Sequence, residues 1–390
     1  MSRRSRTTFG LGLAVLAAVA FSLATAASGS ARVHGWLFDP DGSSVVNTRS
    51  EAVLVARRYD VVVAGPRYHQ FLGAMRAAHR VIVIAPYHKG TAVQGSQLTW
   101  IKAHHPKWLL HTSGGSLVRS ATYGTYLIDP GNLGVRKWQA DFARRAVANG
   151  WNGIYLDSMG LYAFNGFRGT PINPRTHAPF TATGWLKATT GLAAAVNAAV
   201  RVPVMVNGLR TGPGYWKGTS VLLGGAQKGE FEGCFRDATA GITRYPSFNS
   251  WLATVRALVS IQARGRSAMC WTKTWTSATS SQIKRWHDFA LASFLLGAWG
   301  QNQYFYFSGS RRDSALAWYG DGRYRLGKAV SRLQLIGNLY KRRFANGVVI
   351  VNPSGTSDSI TLSSSFVFPS GRRSRAATLP AHTGLILMEP

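Results

Sequence analysis

Eight short runs rich in β-branched and aromatic residues alternate with helical stretches between about Val33 and Lys328, and this alternation limits the fold more than any other feature. The predicted strands are Val33–Phe38, Asp60–Ala64, Val81–Ala85, Gly153–Asp157, Val202–Asn207, Gly229–Glu232, Ser267–Trp271 and Gln303–Phe307. Strands that alternate with helices pair in parallel, so a closed (β/α)8 barrel is expected over residues 32–335. An open doubly wound sheet is the alternative, but no Gly-rich phosphate loop follows a strand to favour it. Between the third and fourth runs, Ser113-Gly114-Gly115 reads as a hairpin turn placed in the loop after strand 3. Asp129 then introduces a helix with Trp138, Phe142 and Ala146 spaced four apart, and Gly150 ends it. Further helices are expected from near Trp185, over about 249–263 and over about 280–299. From 340 to 390 the helices stop, and short strands with turn residues between them predict a small antiparallel β domain.

Residues 1–26 read as a secretory signal peptide. Arg3, Arg4 and Arg6 precede an apolar stretch from Phe9 to Ala24, and Ala24-Thr25-Ala26 supplies small residues for cleavage. The mature chain is therefore expected to be extracellular, without a membrane span. Cys234 and Cys270 fall at strands 6 and 7, which neighbour each other in a barrel, so they are expected to form a disulfide. Lys and Arg number 45 against 15 Asp and Glu, and loss of the three leader arginines takes the formal charge from +30 to +27. Such a field attracts polyanions, an anionic cell-wall polymer among them. The basic residues match no nucleic-acid-binding motif, so a nucleic-acid partner is not expected.

In a chain this poor in acid, the four glutamates Glu51, Glu230, Glu232 and Glu389 stand out, and two of them share one short strand. Barrels of this kind place their chemistry at the C-terminal strand ends. Strand 4 ends in Asp157, strand 5 in Asn207 and strand 6 in Glu232. Strand side chains alternate with period two, so Tyr155 shares a face with Asp157, and Glu230 with Glu232. Strands 4 and 6 are both even, which sets Asp157 and Glu232 at one height in one mouth. Two carboxylates across one cavity are what glycoside hydrolysis requires. The simpler alternative is that Asp157 caps a helix and the glutamates pair with arginines. Glu230 and Asp237 are the reserve acids, and Asp39, after strand 1, is a candidate for substrate contact. Aromatic residues gather at the same end: Tyr87 after strand 3, Tyr162, Phe164 and Phe167 after strand 4, Tyr215 and Trp216 after strand 5, and Trp271 and Trp275 about Lys273. Their rings suit the apolar faces of sugars. Among them Tyr87, Trp216, Trp271 and Trp275 are the substrate-binding candidates, with Asn207 for a sugar hydroxyl. No metal-ligand set, nucleophile elbow, HExxH or P-loop is present, so neither a metal nor a cofactor is called for.

The segments "YLIDPGN" and "GWNGIYLDSMG", with a helix between them, resemble the central block of glycosyl-hydrolase-like family 15, a group of secreted bacterial proteins. "GEFEGCFR" resembles a strand-6 glutamate motif, and "RRFANGVVIVNPS" with "LPAHTGLIL" resembles the β domain that follows such barrels. A more distant similarity is to endo-α-1,4-polygalactosaminidases. The resemblance implies a TIM barrel acting on a polysaccharide, with the strand-4 aspartate at Asp157 and the strand-6 glutamate at Glu232. Glu230 departs from the pattern, where apolar residues are usual.

The sequence reading is thus a secreted hydrolase of O-glycosidic bonds. Asp157 is nucleophile or charge stabiliser and Glu232 is general acid/base, with retention expected. For Glu232 to carry a proton its carboxyl must be raised, which is expected only if the surrounding cations stand back from the mouth. The competing class is a glycan- or wall-polyanion-binding protein on the same scaffold.

Overall fold

The computed structural model describes residues 32–40, 46–161, 167–298, 300, 302–311, 313, 316–368 and 370–390. The predicted leader, Tyr162 and Phe164 lie outside the described residues.

Eight parallel strands close into a barrel: β1 (His34–Asp39), β2 (Val61–Ala64), β3 (Val83–Lys89), β4 (Ile154–Asp157), β5 (Val204–Leu209), β6 (Lys228–Glu232), β7 (Ser267–Lys273) and β8 (Tyr304–Ser308). β1 pairs with both β2 and β8, which completes the ring and excludes the open sheet. The runs of Val, Ile and Leu in β2, β4 and β5 are buried on both faces, as barrel strands must be. Among the described residues, seven helices of seven residues or more accompany the strands: α1 (Arg49–Arg58), α2 (Leu72–Ala78), α3 (Gly95–His104), α4 (Leu133–Ala148), α5 (Ala182–Ala199), α6 (Phe248–Ala263) and α7 (Ser280–Gly297). Local chemistry starts them. Thr48 and Thr279 make reciprocal capping boxes with Glu51 and Gln282, and Thr181 and Ser247 cap α5 and α6. Glu51 is thereby spent on a helix start.

Two local expectations change. Asn132, not Asp129, caps α4 by accepting from Gly134 N and Val135 N. Asp129 is instead buried and accepts from Arg175 and from Gly131 N. β3 begins two residues late, because Val81 is exposed, and continues through Tyr87 and His88 to Lys89. Its last inward positions are polar, so the apolar run that marks a strand stops before the strand does. The turn at Ser113-Gly114-Gly115 does lie in the insertion after β3, where Thr112 N donates to Ser116 O.

After the barrel, six antiparallel strands follow: β9 (Gln334–Ile336), β10 (Leu339–Phe344), β11 (Gly347–Asn352), β12 (Asp358–Val367), β13 (Arg373–Leu379) and β14 (Thr383–Met388), in sheet order β9-β10-β11-β14-β12-β13. Tyr340, Phe344, Val349, Val351 and Ile386 join the barrel's core, while Leu339, Val348, Ile350, Phe366 and Leu387 form the sheet's own cluster. At Gly384 a Cβ would come within 2.5 Å of Ala292 and of the Asp288 carbonyl, so β14 can pack directly on α7 only because that residue is glycine. Among the described residues no helix is long and apolar enough to cross a membrane.

Candidate active site

Aromatic rings pack inside the barrel below the C-terminal strand ends. Phe38 packs 5.0 Å from Trp271, 5.8 Å from Tyr87 and 5.8 Å from Tyr155 between ring centroids, and so forms the floor of the mouth. Above it the side chains become polar. Tyr155 pairs in register with Tyr87 on one side and Met205 on the other, which sets Asp157 and Asn207 one pleat higher.

Asn207 is the centre of the site. Its Nδ2 donates to Asp157 Oδ1 at 3.0 Å and to Glu232 Oε2 at 3.0 Å. An amide nitrogen directs its two N–H bonds about 120° apart, so the two accepting oxygens stand about 5 Å from each other. The approach of β4 to β5 depends on a pair of glycines. A Cβ on Gly208 would fall 2.3 Å from Gly160 N, and one on Gly160 would fall 2.5 Å from Gly208 O. Gly208 is also the residue skipped where the β5–β6 register shifts, just beyond the Glu230–Asn207 pair. The resulting bulge lets Asn207 reach both carboxylates.

Each carboxylate has further partners. Asp157 Oδ2 accepts from Tyr87 O–H at 2.5 Å, and Oδ1 accepts from Ser158 N at 2.7 Å. Lys89 Nζ donates to the Tyr87 oxygen at 2.8 Å and stands 4.0 Å from Asp157. Glu232 Oε1 takes an ion pair from Lys273 Nζ, which lies 3.6 Å from the ring centroid of Trp271 and 4.5 Å from that of Trp275. The Lys273 ammonium is buried between two indole faces while Glu232 is about a third exposed. The cations do not stand back from the mouth: Lys273 touches one carboxylate and Lys89 flanks the other. An ammonium in contact favours the charged form of its partner.

Below the pair, Glu230 is fully buried and Tyr155 O–H donates to its Oε2. Burial first, and then the charge of Glu232, push its carboxyl well above the usual range. The same burial raises the Tyr155 hydroxyl.

The structure thus brings Asp157, Glu232, Asn207, Tyr87, Trp271 and Trp275 together, with Glu230 beneath them. Trp275 is held by its indole N–H to Ser308 Oγ at 3.0 Å. Asp39 ends β1 and accepts from Tyr68 O–H at 2.7 Å. Trp216 is half exposed on a helical turn, Pro213–Trp216; its indole donates to Ala253 O of α6 and its ring meets Tyr215, so these contacts turn it outward. Asp237 is exposed and accepts from Thr239 N in a local turn. It lines a groove of ≈ 360 Å³ with Thr211, Arg236, Tyr245 and Trp251. Lys89 and Lys273 were not singled out in the sequence as site residues. The signal was parity: Lys89 shares a face with Tyr87, and Lys273 with Trp271.

Cys234 and Cys270 are bonded, with their Cα atoms 5.3 Å apart. The bridge ties the residue two beyond Glu232 to the strand that carries Lys273, and Cys234 N adds a bond to Trp271 O at 2.7 Å. Among the described residues no group of three or more His, Cys, Asp or Glu gathers to hold a metal ion.

The sequence profile of the hypothetical glycosyl hydrolase family 15 matches residues 83–348. The chain belongs to this family. No curated protein matches it in sequence. Solved structures share the fold. The noncanonic maltogenic α-amylase AmyB of Thermotoga neapolitana aligns at TM-score 0.56 and 11% identity, covering 91% of this chain and 98% of that one. Amy13B of Eubacterium rectale aligns at 0.54 and 10%, covering 93% and 96%. The glycoside hydrolase domain of PelA from Pseudomonas aeruginosa aligns at 0.48 and 13%, covering 74% and 98%. The family match supports a glycoside hydrolase, and AmyB and Amy13B show the fold.

Proposed function

We propose that the protein is a secreted enzyme that hydrolyses an O-glycosidic bond of an extracellular or cell-wall polysaccharide with retention of configuration. The observation that carries this reading is the Asn207 amide, which holds Asp157 and Glu232 at a common distance of 3.0 Å across the barrel mouth. The resulting separation of about 5 Å suits a retaining pair, whose carboxyl groups stand about 5–5.5 Å apart, rather than the about 6.5–9.5 Å that leaves room for water.

In the first step an Asp157 oxygen forms a bond to the anomeric carbon as the glycosidic C–O bond breaks. Glu232 gives its proton to the departing oxygen. In the second step Glu232 takes a proton from water, whose oxygen displaces Asp157 and regenerates both groups. Tyr87, Ser158 N and Asn207 together supply three hydrogen bonds to Asp157, which fix its attacking geometry. For Glu232 to begin protonated, bound sugar must draw the Lys273 ammonium off it, most simply onto a ring hydroxyl. Trp271 and Trp275 offer apolar faces to the sugar. The formal charge of +30 on the whole chain supports an anionic wall polymer as substrate or anchor.

Asp157→Asn and Glu232→Gln are the test, because each swap is nearly isosteric. Each is expected to abolish release of reducing ends from a panel of wall and extracellular polysaccharides while leaving the fold intact. Normal turnover by either variant refutes the site. Tight binding by the wild type with no reducing ends released leaves the non-catalytic binding protein.

A further inference from the structure

Glu230 and Asn207 are register partners on β6 and β5, and adjacent strands lie about 4.8 Å apart. Glu230 Oε1 and Asn207 Oδ1 are both buried, and neither has a hydrogen-bond partner among the described residues. The orientation of the amide is not free, since its Nδ2 is committed to Asp157 and Glu232. Its oxygen must therefore point away from them. Tyr155 already donates to the other oxygen of Glu230. Two buried acceptors on neighbouring strands, each lacking a donor, are both costly, and one proton between them satisfies both.

We propose that Glu230 is a permanently protonated carboxylic acid whose O–H donates to Asn207 Oδ1, and that it is a positioning residue for the Asp157–Glu232 pair. The relay runs from Tyr155 through Glu230 and Asn207 to the two carboxylates. A proton on Glu230 fixes which end of the amide faces upward, and so fixes the spacing of the pair. Burial and the neighbouring acids outweigh the Tyr155 hydrogen bond and the Lys273 charge, which alone favour the ionised form. Glu232 above it on β6 and Asp157 on β4 are both acids, and Tyr155 is a neutral donor. Lys273 on β7 is the cation nearest to it, and that ammonium is engaged by Glu232. The β7 residue in register with Glu230 is Met269, which is apolar and buried. Lys228, lower on β6, turns to Ser267 Oγ and Tyr304 O–H.

The positioning role rests on the hydrolase reading; the protonation does not, and the experiment separates them. The wild type at neutral pH is expected to show an infrared C=O band of a protonated carboxyl that Glu230→Gln lacks. The unfolded chain ionises Glu230 at about pH 4.3, whereas the fold keeps its proton. Wild-type stability contributed by this group is therefore full below that pH and declines as pH rises. Glu230→Gln has no such slope, so its melting temperature should gain on the wild type between about pH 4.5 and 8. In turnover, Glu230→Met is expected to lower kcat at least about tenfold with KM little changed. Glu230→Gln, whose amide can donate in place of the O–H, should recover most of that loss. Absence of the band, or parallel melting curves for Gln and wild type, overturns the protonation even in an active enzyme. Full kcat in Glu230→Met overturns the positioning role. If the wild type cleaves no glycan, the functional reading fails while the infrared and unfolding arms still decide the proton.

Discussion

Replacing Asn207 removes the one group that both carboxylates share, and its consequences separate electrostatics from packing. Asn207→Ala deletes two hydrogen bonds of 3.0 Å to charged acceptors, each contributing about 1.5–3 kcal/mol. It also leaves Asp157 and Glu232 facing each other at about 5 Å, a repulsion of about 3 kcal/mol at an effective dielectric constant of about 20. Both figures need discounting, because Glu232 is 35% exposed and keeps Lys273. A loss of about 2–4 kcal/mol is expected for Asn207→Ala. Asn207→Asp keeps the shape but puts a third acid between the other two. That carboxyl, buried among like charges, titrates higher folded than unfolded. Its penalty is absent below the ordinary carboxylate range and appears as pH rises through it. Urea unfolding should therefore rank Asn207→Asp below Asn207→Ala by about 2 kcal/mol or more at pH 8, with the gap closing near pH 4. Equal stability of the two variants at pH 8, or a loss under about 0.5 kcal/mol in both, refutes the clamp.

Two further expectations can be checked without knowing the substrate. The Cys234–Cys270 bridge spans 36 residues, and the chain-entropy relation gives it about 4 kcal/mol; Cys234→Ala/Cys270→Ala should lose about that in urea unfolding, and a loss under about 1 kcal/mol would mean the crossover is already ordered when unfolded. Affinity for an anionic polymer such as a polyphosphodiester should fall at least about tenfold between about 0.05 and 0.5 M salt, because screening shortens the charge's reach to a few ångströms; a flat response would remove the net charge as the binding determinant.

The barrel was legible because parallel strands buried on both faces must be written as unbroken apolar runs, and β2, β4 and β5 are such runs. It was least legible where the strand tops turn polar. The apolar run ends at Ala85 and so places Tyr87 after the strand, whereas β3 continues through Tyr87 to Lys89 and carries both into the site. Asp157, Asn207 and Glu232 could be found by counting parity from a strand end. Trp216 could not be placed by that method. It lies on a short helical turn whose direction is set by its bond to Ala253 on α6, a contact between segments far apart in sequence. Lys273 was visible between Trp271 and Trp275, but nothing local states that its ammonium bends back to Glu232. Such a pairing depends on neighbouring strands and their register, which no single strand carries. The Asn132 cap of α4 is hidden for the opposite reason: Asp129 and Asn132 are both good cap residues three apart, and the turn bond from Gly131 N and the ion pair with Arg175 take Asp129 elsewhere.

The inward face of β6 explains how so basic a chain keeps acids inside it. Lys228, Glu230 and Glu232 follow one another on that face from the bottom of the barrel to its mouth. A simple economy would pair Lys228 with Glu230, but the lysine is held by Tyr304 O–H at 3.1 Å and by Ser267 Oγ at 3.4 Å. Burial brings the Lys228 ammonium down to about 8 and pushes the Glu230 carboxyl up, so each moves toward its neutral form. Desolvation by burial thus favours the neutral forms in the lower barrel. At the top Glu232 is partly exposed and Lys273 lies against it. The wide ring of Trp36, Phe38, Trp271 and Tyr306 lies between these regimes, with Phe38 and Trp271 centroids 5.0 Å apart and Trp271 and Tyr306 centroids 5.4 Å apart. A substrate seated on the floor would extend the same dry environment upward to Asp157 and Glu232, strengthening every charge interaction there. On the proposed reading, a bound sugar completes the low-dielectric chamber around the two carboxylates.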